Sequence, residues 1–142
     1  MSENVLLIDD EKEFLDTLSE RMQARGMNVS TSTSPVDALH KVENQHFDAI
    51  ILDMMMPEMD GLEALVRLKE KNPDMQIILL TGHATVDKGV EAMKLGATDF
   101  LEKPIDIKVL SEKIKNAHAQ KMILVEKRTE EKLKQIMKTK GW

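Results

Sequence analysis

The sequence predicts an α/β fold: a five-stranded, doubly wound parallel sheet with helices on both faces. Three observations carry that expectation. Five short apolar runs alternate with amphipathic stretches along the 142 residues, the βαβα pattern of a covered parallel sheet. Several runs, among them Val5–Ile8, Ala49–Leu52 and Ile77–Leu80, are apolar at successive positions, as strands buried on both faces are. Chemically active side chains follow the runs directly: Asp9 and Asp10, Asp53, Thr81, and Lys103. Ligands of open α/β sheets bind in the crevice beyond the carboxyl ends of the strands, so residues far apart in sequence can meet there.

Each element has a local reason. After Val5–Ile8, residues 11–25 carry Phe14, Leu15, Leu18 and Met22 on one helical face, and Gly26 supplies a left-handed stop. The second strand, roughly Met27–Thr31, is polar enough to lie at an edge. Ser34-Pro35 gives an N-cap and a first-turn proline for a helix with Leu39 and Val42 inward. Ala49–Leu52 is hydrocarbon on both faces and takes a central position. The loop Met54-Met-Met-Pro-Glu-Met-Asp-Gly61 leads into a helix marked by Leu62, Leu65 and Leu68 and closed by Asn72-Pro73. Ile77–Leu80 is the fourth strand. Val86, Val90 and Met93 mark the next helix, with Gly96 past its end, and Phe100-Leu101 is a short fifth strand.

From Asp106 the helical pattern continues to about Met137, longer than a sheet-covering helix requires. Ile107, Leu110, Ile114 and Ala117 fit the domain face; Met122–Val125, Leu133, Ile136 and Met137 form a second apolar set. The expected division is a domain over residues 1–120 and a basic amphipathic helical tail over 121–142, with the boundary near His118–Gln120. In the tail, Lys121, Lys127, Arg128, Lys132, Lys134, Lys138 and Lys140 alternate with apolar residues. Such a segment is a solvated continuation of the last helix, a dimerising coiled coil or a docking helix.

Composition narrows the classes. Cysteine is absent, so neither disulfides nor thiolate metal sites hold the fold. There is no apolar run of about 18 residues and no basic start with a long apolar stretch at the N-terminus, so the expectation is a soluble cytoplasmic protein that makes no membrane contact. Residues 1–105 hold 20 acidic and 10 basic side chains, whereas 106–142 hold 5 and 10. An acidic body repels nucleic acid, and the tail offers no helix-turn-helix unit or other base-reading fold.

The strand ends form a carboxylate site. Asp9 and Asp10 with Asp53 make a hard, oxygen-rich pocket suited to Mg²⁺, which prefers one or two carboxylates plus waters and a phosphate. Asp53 can also attack phosphorus, since an aspartyl phosphate is an accessible covalent state. Attack by one anion on another needs a screening cation, and Mg²⁺ with the Lys103 ammonium provides it. Thr81 offers a hydroxyl to a phosphoryl oxygen. Taken singly, each residue has a plainer role: an aspartate after a strand is an ordinary cap or turn residue, and Thr81-Gly82 and Lys103-Pro104 are ordinary turn chemistry. Their conjunction at the ends of one βα series points to the site. The methionines at 54–56 and 59 read as packing rather than a soft-metal site. His40, His46, His83 and His118 lack ligand spacing.

Together these residues resemble the receiver domains of two-component response regulators over about residues 4–120. The resemblance rests on Asp9-Asp10, on Asp53 within Asp-Met-Met-Met-Pro-Glu-Met-Asp-Gly, on Thr81-Gly82, and on Lys103-Pro104 preceded by Phe100. It implies a flavodoxin-like sheet of order 2-1-3-4-5, the order of the family's chemotaxis member. It further implies Asp53 as phosphoacceptor; Asp10, Asp53 and the Met55 backbone carbonyl as Mg²⁺ ligands; and Asp9 acting through metal-bound water. Lys103 and Thr81 would contact the phosphoryl group, Phe100 would be the switch aromatic, and the Lys103–Pro104 bond would be cis. Met55 and His83 would tune access of hydrolytic water, and neither side chain orients a water as an acid or amide does, so slow self-dephosphorylation is expected.

The function so implied is a phosphorylation-dependent signalling switch, not an enzyme beyond its own phosphorylation and dephosphorylation. Its partners would be a sensor histidine kinase or histidine phosphotransfer protein, a downstream protein effector, and a second copy through the last sheet-covering helices or the tail. Two alternatives stand beside it. One is the receiver and linker of a longer DNA-binding transcriptional regulator. The other is a Mg²⁺-dependent phosphohydrolase with Asp53 as nucleophile, which would lack a second acid two residues on because Met55 stands there.

Overall fold

A computed structural model of the chain describes residues 2–82 and 86–139, with the backbone alone at 86 and 87. The elements alternate throughout: β1 (Asn4–Ile8), α1 (Lys12–Ala24), β2 (Asn28–Ser32), α2 (Pro35–Asn44), β3 (Ala49–Asp53), α3 (Gly61–Lys71), β4 (Ile77–Thr81), α4 (Val86–Lys94), β5 (Asp99–Glu102) and α5 (Ile107–Thr139). The strands form one sheet of order β2-β1-β3-β4-β5, every pair parallel. The all-apolar third strand is central and the polar second strand lies at an edge.

Strand period divides the core in two. Leu6, Ile8, Ile50, Leu52, Ile77 and Leu79 face α2, α3 and α4, packing with Ala38, Ala64, Leu65, Leu68 and Ala92. Val5, Leu7, Ala49, Ile51, Ile78 and Leu80 face α1 and α5, packing with Leu15, Leu18, Met22, Leu110, Ile114 and Ala117. The same alternation sorts the residues at the strand ends. Asp9, Asp53 and Lys103 continue rows on the α1 and α5 side, whereas Thr81 and Phe100 continue rows on the α4 side.

Helix boundaries follow local chemistry. The Asp37 N–H donates to Ser34 Oγ at 3.4 Å at the start of α2, and the Leu62 N–H to Asp60 Oδ1 at 2.8 Å at the start of α3. Gly26, with φ of +89°, takes the left-handed turn that ends α1. Gly61 is required for a different reason. A Cβ there would stand 2.6 Å from Met54 Cα, where the loop after β3 folds back and the Gly61 N–H donates to the Met54 carbonyl. Met54, Met56 and Met59 are buried in the α2–α4 core, and Met55 is 60% exposed.

In α4 the apolar markers do not face the sheet. Val90 and Met93 are 51% and 40% exposed, and the buried positions are Gly89 and Ala92; the Val86 side chain lies outside the described residues. The reason is the short distance between α4 and β5: a Cβ at Gly89 would come within 3.3 Å of the Phe100 ring. Small residues must face inward there, and the larger ones turn to solvent.

The last helix is continuous through 118–120 and runs 33 residues, about 50 Å at 1.5 Å per residue. Its last buried side chain is Lys121, which sequence placed among the solvated cations of the tail. Lys121 Nζ donates to the Phe47 carbonyl at 2.7 Å and meets His46 Nε2. His118 Nδ1 lies 2.9 Å from Asp48 Oδ1, and Arg128 pairs with Asp74 at 2.9 Å. These contacts fasten the helix to the lower edge of the sheet. Burial alone would push the Asp48 carboxyl up, but the Asn4 N–H and His118 outweigh it and hold it below its ordinary value. Residues 122–139 are all exposed. Among the described residues no helix is long and apolar enough to cross a membrane.

The Gly61 contact is with backbone, which cannot rotate aside. Gly61→Ala should lower stability by about 1–3 kcal/mol, read as a reduced urea midpoint at unchanged slope; an unchanged midpoint would contradict the packing described.

Candidate functional site

The carboxyl ends of β1, β3, β4 and β5 bring the predicted residues to one rim. Asp53 is the last residue of β3, opposite Leu80 of β4, and the Met54 N–H donates to the Leu80 carbonyl just beyond it. Asp9 follows β1 and extends its ladder, its N–H donating to the Ser32 carbonyl. Lys103 follows β5, its N–H donating to the Thr81 carbonyl at 2.8 Å. The Lys103–Pro104 peptide is cis. Carboxylate oxygens of Asp9, Asp10 and Asp53 all lie within 4.8 Å of one another.

Asp9 shows that the turn role and the site role coexist. Its Oδ1 accepts the Glu11 N–H at 2.9 Å in the turn before α1, while its Oδ2 accepts from Lys103 Nζ at 3.2 Å. Asp9 is 1% exposed and Asp53 5%, whereas Asp10 is exposed. Lys103 Nζ also lies 3.6 Å from Asp53 Oδ1. One ammonium is thus shared between two buried carboxylates.

The electrostatics follow from this crowding. Burial, then the neighbouring Asp9 charge, pushes the Asp53 carboxyl up to about 6, against the opposing pull of Lys103 and the Met55 N–H. Burial also raises Asp9, with the Glu11 N–H and Lys103 pulling the other way. For Lys103, burial disfavours the charge, but Asp53 and Asp9 outweigh it and hold the ammonium above its ordinary range. Two buried acids and one cation leave an excess of negative charge, which a divalent cation would neutralise.

Beside the acids, a pocket of about 390 Å³ is lined by Asp10, Met54, Met55, Met56, Pro57, Asp60 and Lys88. Thr81 is fully buried, and its hydroxyl donates to the Leu101 carbonyl at 3.4 Å, a long bond that is readily given up. Phe100 is half-buried against Gly89. His83, the second tuning position, lies outside the described residues. Sequence reasoning missed Phe14: it was read as a helix-face residue, but its ring centroid lies 4.4 Å from Lys103 Nζ. Only its place one turn into the helix after the acidic pair hinted at this.

The raised Asp53 carboxyl has a consequence for stability. Its folded value of about 6 lies above the ordinary 3.8, so the folded protein keeps a proton that the unfolded chain has released. The stability this contributes is complete below about pH 4 and lost as pH rises through about 6, a change of about 2–3 kcal/mol. Without added metal, Asp53→Asn should therefore be more stable than the parent at pH 7.5, with the gap closing toward pH 4. A gap independent of pH in chemical denaturation would refute it.

Comparison with known proteins gives the same picture. The sequence profile of the response regulator receiver domain matches residues 5–115. The chain is 36% identical over 116 residues to the transcriptional regulatory protein ZraR of Salmonella typhimurium, which covers 82% of this chain and 26% of that protein. It is 35% identical over 114 residues to the transcriptional regulatory protein FixJ of Bradyrhizobium diazoefficiens, covering 80% and 56%. The chain thus spans about a quarter of the one relative and just over half of the other. Among solved structures, a response regulator receiver domain protein from Clostridium thermocellum superposes with a TM-score of 0.83 at 36% identity, covering 86% of this chain and 98% of that one. With the sheet order, the acidic rim and a match over most of its length in agreement, the chain belongs to the family of response regulator receiver domains.

Proposed function

We propose that this chain is a phosphorylation-dependent switch that accepts a phosphoryl group on Asp53 from a histidine kinase or histidine phosphotransfer protein. The observation that carries the reading is the sharing of Lys103 between Asp9 and Asp53 at 3.2 and 3.6 Å beside the exposed Asp10. That arrangement supports the reading because Asp53 would then have, at one point, a cation to screen its attack and further hard oxygen atoms for a metal. In the transfer, an Asp53 carboxylate oxygen forms a bond to phosphorus as the phosphorus–nitrogen bond to the donor histidine breaks, and the imidazole leaves with the electron pair and takes up a proton. Mg²⁺, when bound, would neutralise charge on the phosphoryl oxygens. The donor set fits it: Asp10 and Asp53 would hold it with the Met55 carbonyl, and Asp9 would act through a metal-bound water.

Lys103 would follow the phosphoryl oxygen once Asp53 carries the phosphoryl group as an acyl phosphate. The Thr81 hydroxyl would exchange its long bond to the Leu101 carbonyl for one to the phosphoryl group, and its movement would open space toward Phe100 on the same side of the sheet. A group of about −2 charge shifts the balance of two arrangements only through contacts that differ between them. Thr81 and Lys103 are those contacts. The face of α4 and β5, with exposed Val90, Met93 and Leu95, is where a downstream protein would read the change. Water would hydrolyse the acyl phosphate at this same site, releasing inorganic phosphate and returning the Asp53 carboxylate and the switch to rest.

The relatives favour a second reading as well. They are longer transcriptional regulators by name, so the same switch could serve as the receiver portion of a longer protein. A phosphohydrolase is disfavoured because the position for a general acid holds Met55, whose side chain is 60% exposed.

The tail half of α5 supports a contact with a second copy. Met122, Ile123, Val125, Leu133, Ile136 and Met137 are exposed along it, an apolar surface that a second helix would cover. At about 100° per residue, Met122, Thr129, Leu133 and Ile136 form one stripe, flanked by Glu126 and Glu130 on one side and Lys132 on the other. In a parallel pair the acidic flank of one helix meets the basic flank of the other.

Two experiments test these readings. Incubation with Mg²⁺ and a small acyl phosphate should add one phosphoryl group by intact mass, with no gain in Asp53→Ala; a gain that persists in that variant would overturn the assignment. Light scattering should find a dimer at tens of micromolar that Leu133→Asp with Ile136→Asp dissociates, whereas a monomeric parent would dismiss the pairing.

A further inference from the structure

Lys103 has two carboxylate partners on one side and an aromatic ring on another. Its Nζ lies 3.2 Å from Asp9 Oδ2, 3.6 Å from Asp53 Oδ1 and 4.4 Å from the centroid of Phe14, which projects from the first turn of α1. The electron-rich face of a ring attracts an ammonium at this distance, more strongly where water is partly excluded. Lys103 is only partly exposed, at 26% of its side chain. We propose that Phe14 is a positioning residue for the phosphoryl site, holding the Lys103 ammonium over the rim through its ring face. This rests on the assignment of Asp53 as phosphoacceptor.

The carboxylates alone would not do this. A lysine side chain is a flexible four-carbon stem with a point charge, and Asp9, the nearer acid, competes with Asp53 for it. Held by Asp9 alone, the ammonium would sit away from the incoming group. A hydrogen bond fixes a direction, whereas the attraction of a ring face is broad, so Nζ can slide across Phe14 from the Asp53 carboxylate to a phosphoryl oxygen without losing that contact. The ring also covers one side of the ammonium against water, leaving its donors for the anionic side. Phe14 packs against the α1 and α5 core, and Asp9 both accepts the N–H of Glu11, the residue before α1, and holds Lys103. The turn that leads into the helix carrying the ring is therefore tied to the same acid that binds the lysine.

The arrangement predicts a separation of two affinities. The metal ligands Asp10, Asp53 and the Met55 carbonyl do not involve Phe14, whereas a phosphoryl oxygen does involve Lys103. In Phe14→Leu, which keeps apolar volume but removes the ring, Mg²⁺ affinity measured by fluorescence or calorimetry should stay within about twofold, while binding of beryllofluoride, a phosphoryl mimic, at saturating Mg²⁺ should weaken about three- to tenfold. Phe14→Tyr, which keeps a ring face, should restore the parent value. Thermal denaturation checks that both variants are folded. Equal beryllofluoride affinity in Phe14→Leu and parent, or a Tyr variant as weak as the Leu variant, overturns the role of the ring. A parent protein that fails to bind beryllofluoride with Mg²⁺ overturns the phosphoacceptor assignment itself and this inference with it.

Discussion

Two carboxylates, Asp9 and Asp53, are buried side by side at the end of an apolar sheet with a single ammonium between them. Everything distinctive about the molecule follows from how that arrangement is tolerated. Unpaired, either acid would have to bind a proton or destabilise the fold. Lys103 relieves part of the repulsion, the Glu11 N–H part of what remains on Asp9, and the Met55 N–H part of what remains on Asp53. Burial, and after it the Asp9 charge, still push the Asp53 carboxyl up, and the negative charge left over would favour a divalent cation at the rim.

The sheet makes the arrangement rigid. β1 and β3 are buried along nearly their whole length, packed on both faces, and paired in parallel register, so the positions just past their ends cannot drift. Strand alternation then separates two groups of residues. The acids and Lys103 extend rows on the α1 and α5 side; Thr81 and Phe100 extend rows on the α4 side. The backbone joins the two: the Lys103 N–H donates to the Thr81 carbonyl. The acidic rim and the α4 side of the sheet thus meet through adjoining residues.

The lower edge is built on different terms. Here α5 leaves the domain, held by Lys121 on the Phe47 carbonyl, by His118 on Asp48 and by Arg128 on Asp74. Burial lowers the Lys121 pKa against the raising effect of Asp48 and Asp74; the ammonium is accommodated because a carbonyl accepts from it. Past Lys121 the helix exposes Met122, Ile123, Leu133 and Ile136 to solvent and adds nothing to the two cores of the sheet.

Much was legible from residue order alone, because burial on both faces leaves an unmistakable signature. Ala49-Ile-Ile-Leu52 and Ile77-Ile-Leu-Leu80 could only be inner strands, and polar residues immediately after such strands fall at one rim by the geometry of parallel βα units. Ser34-Pro35 and Gly26 marked helix ends through local chemistry that needs no tertiary partner. Tertiary structure decided what depends on the approach of distant elements. It turned α4 so that Gly89 and Ala92 face the sheet, because the Phe100 ring leaves no room for Val90 or Met93. It buried Lys121, a residue type that at a helix surface reads as solvated. It set Phe14 beneath Lys103, a contact between a core-type aromatic and a strand-end cation that no local spacing encodes. Sequence specified the elements and the reacting groups through periodicity and local hydrogen bonding; packing distances between elements specified which faces and which partners those groups acquired.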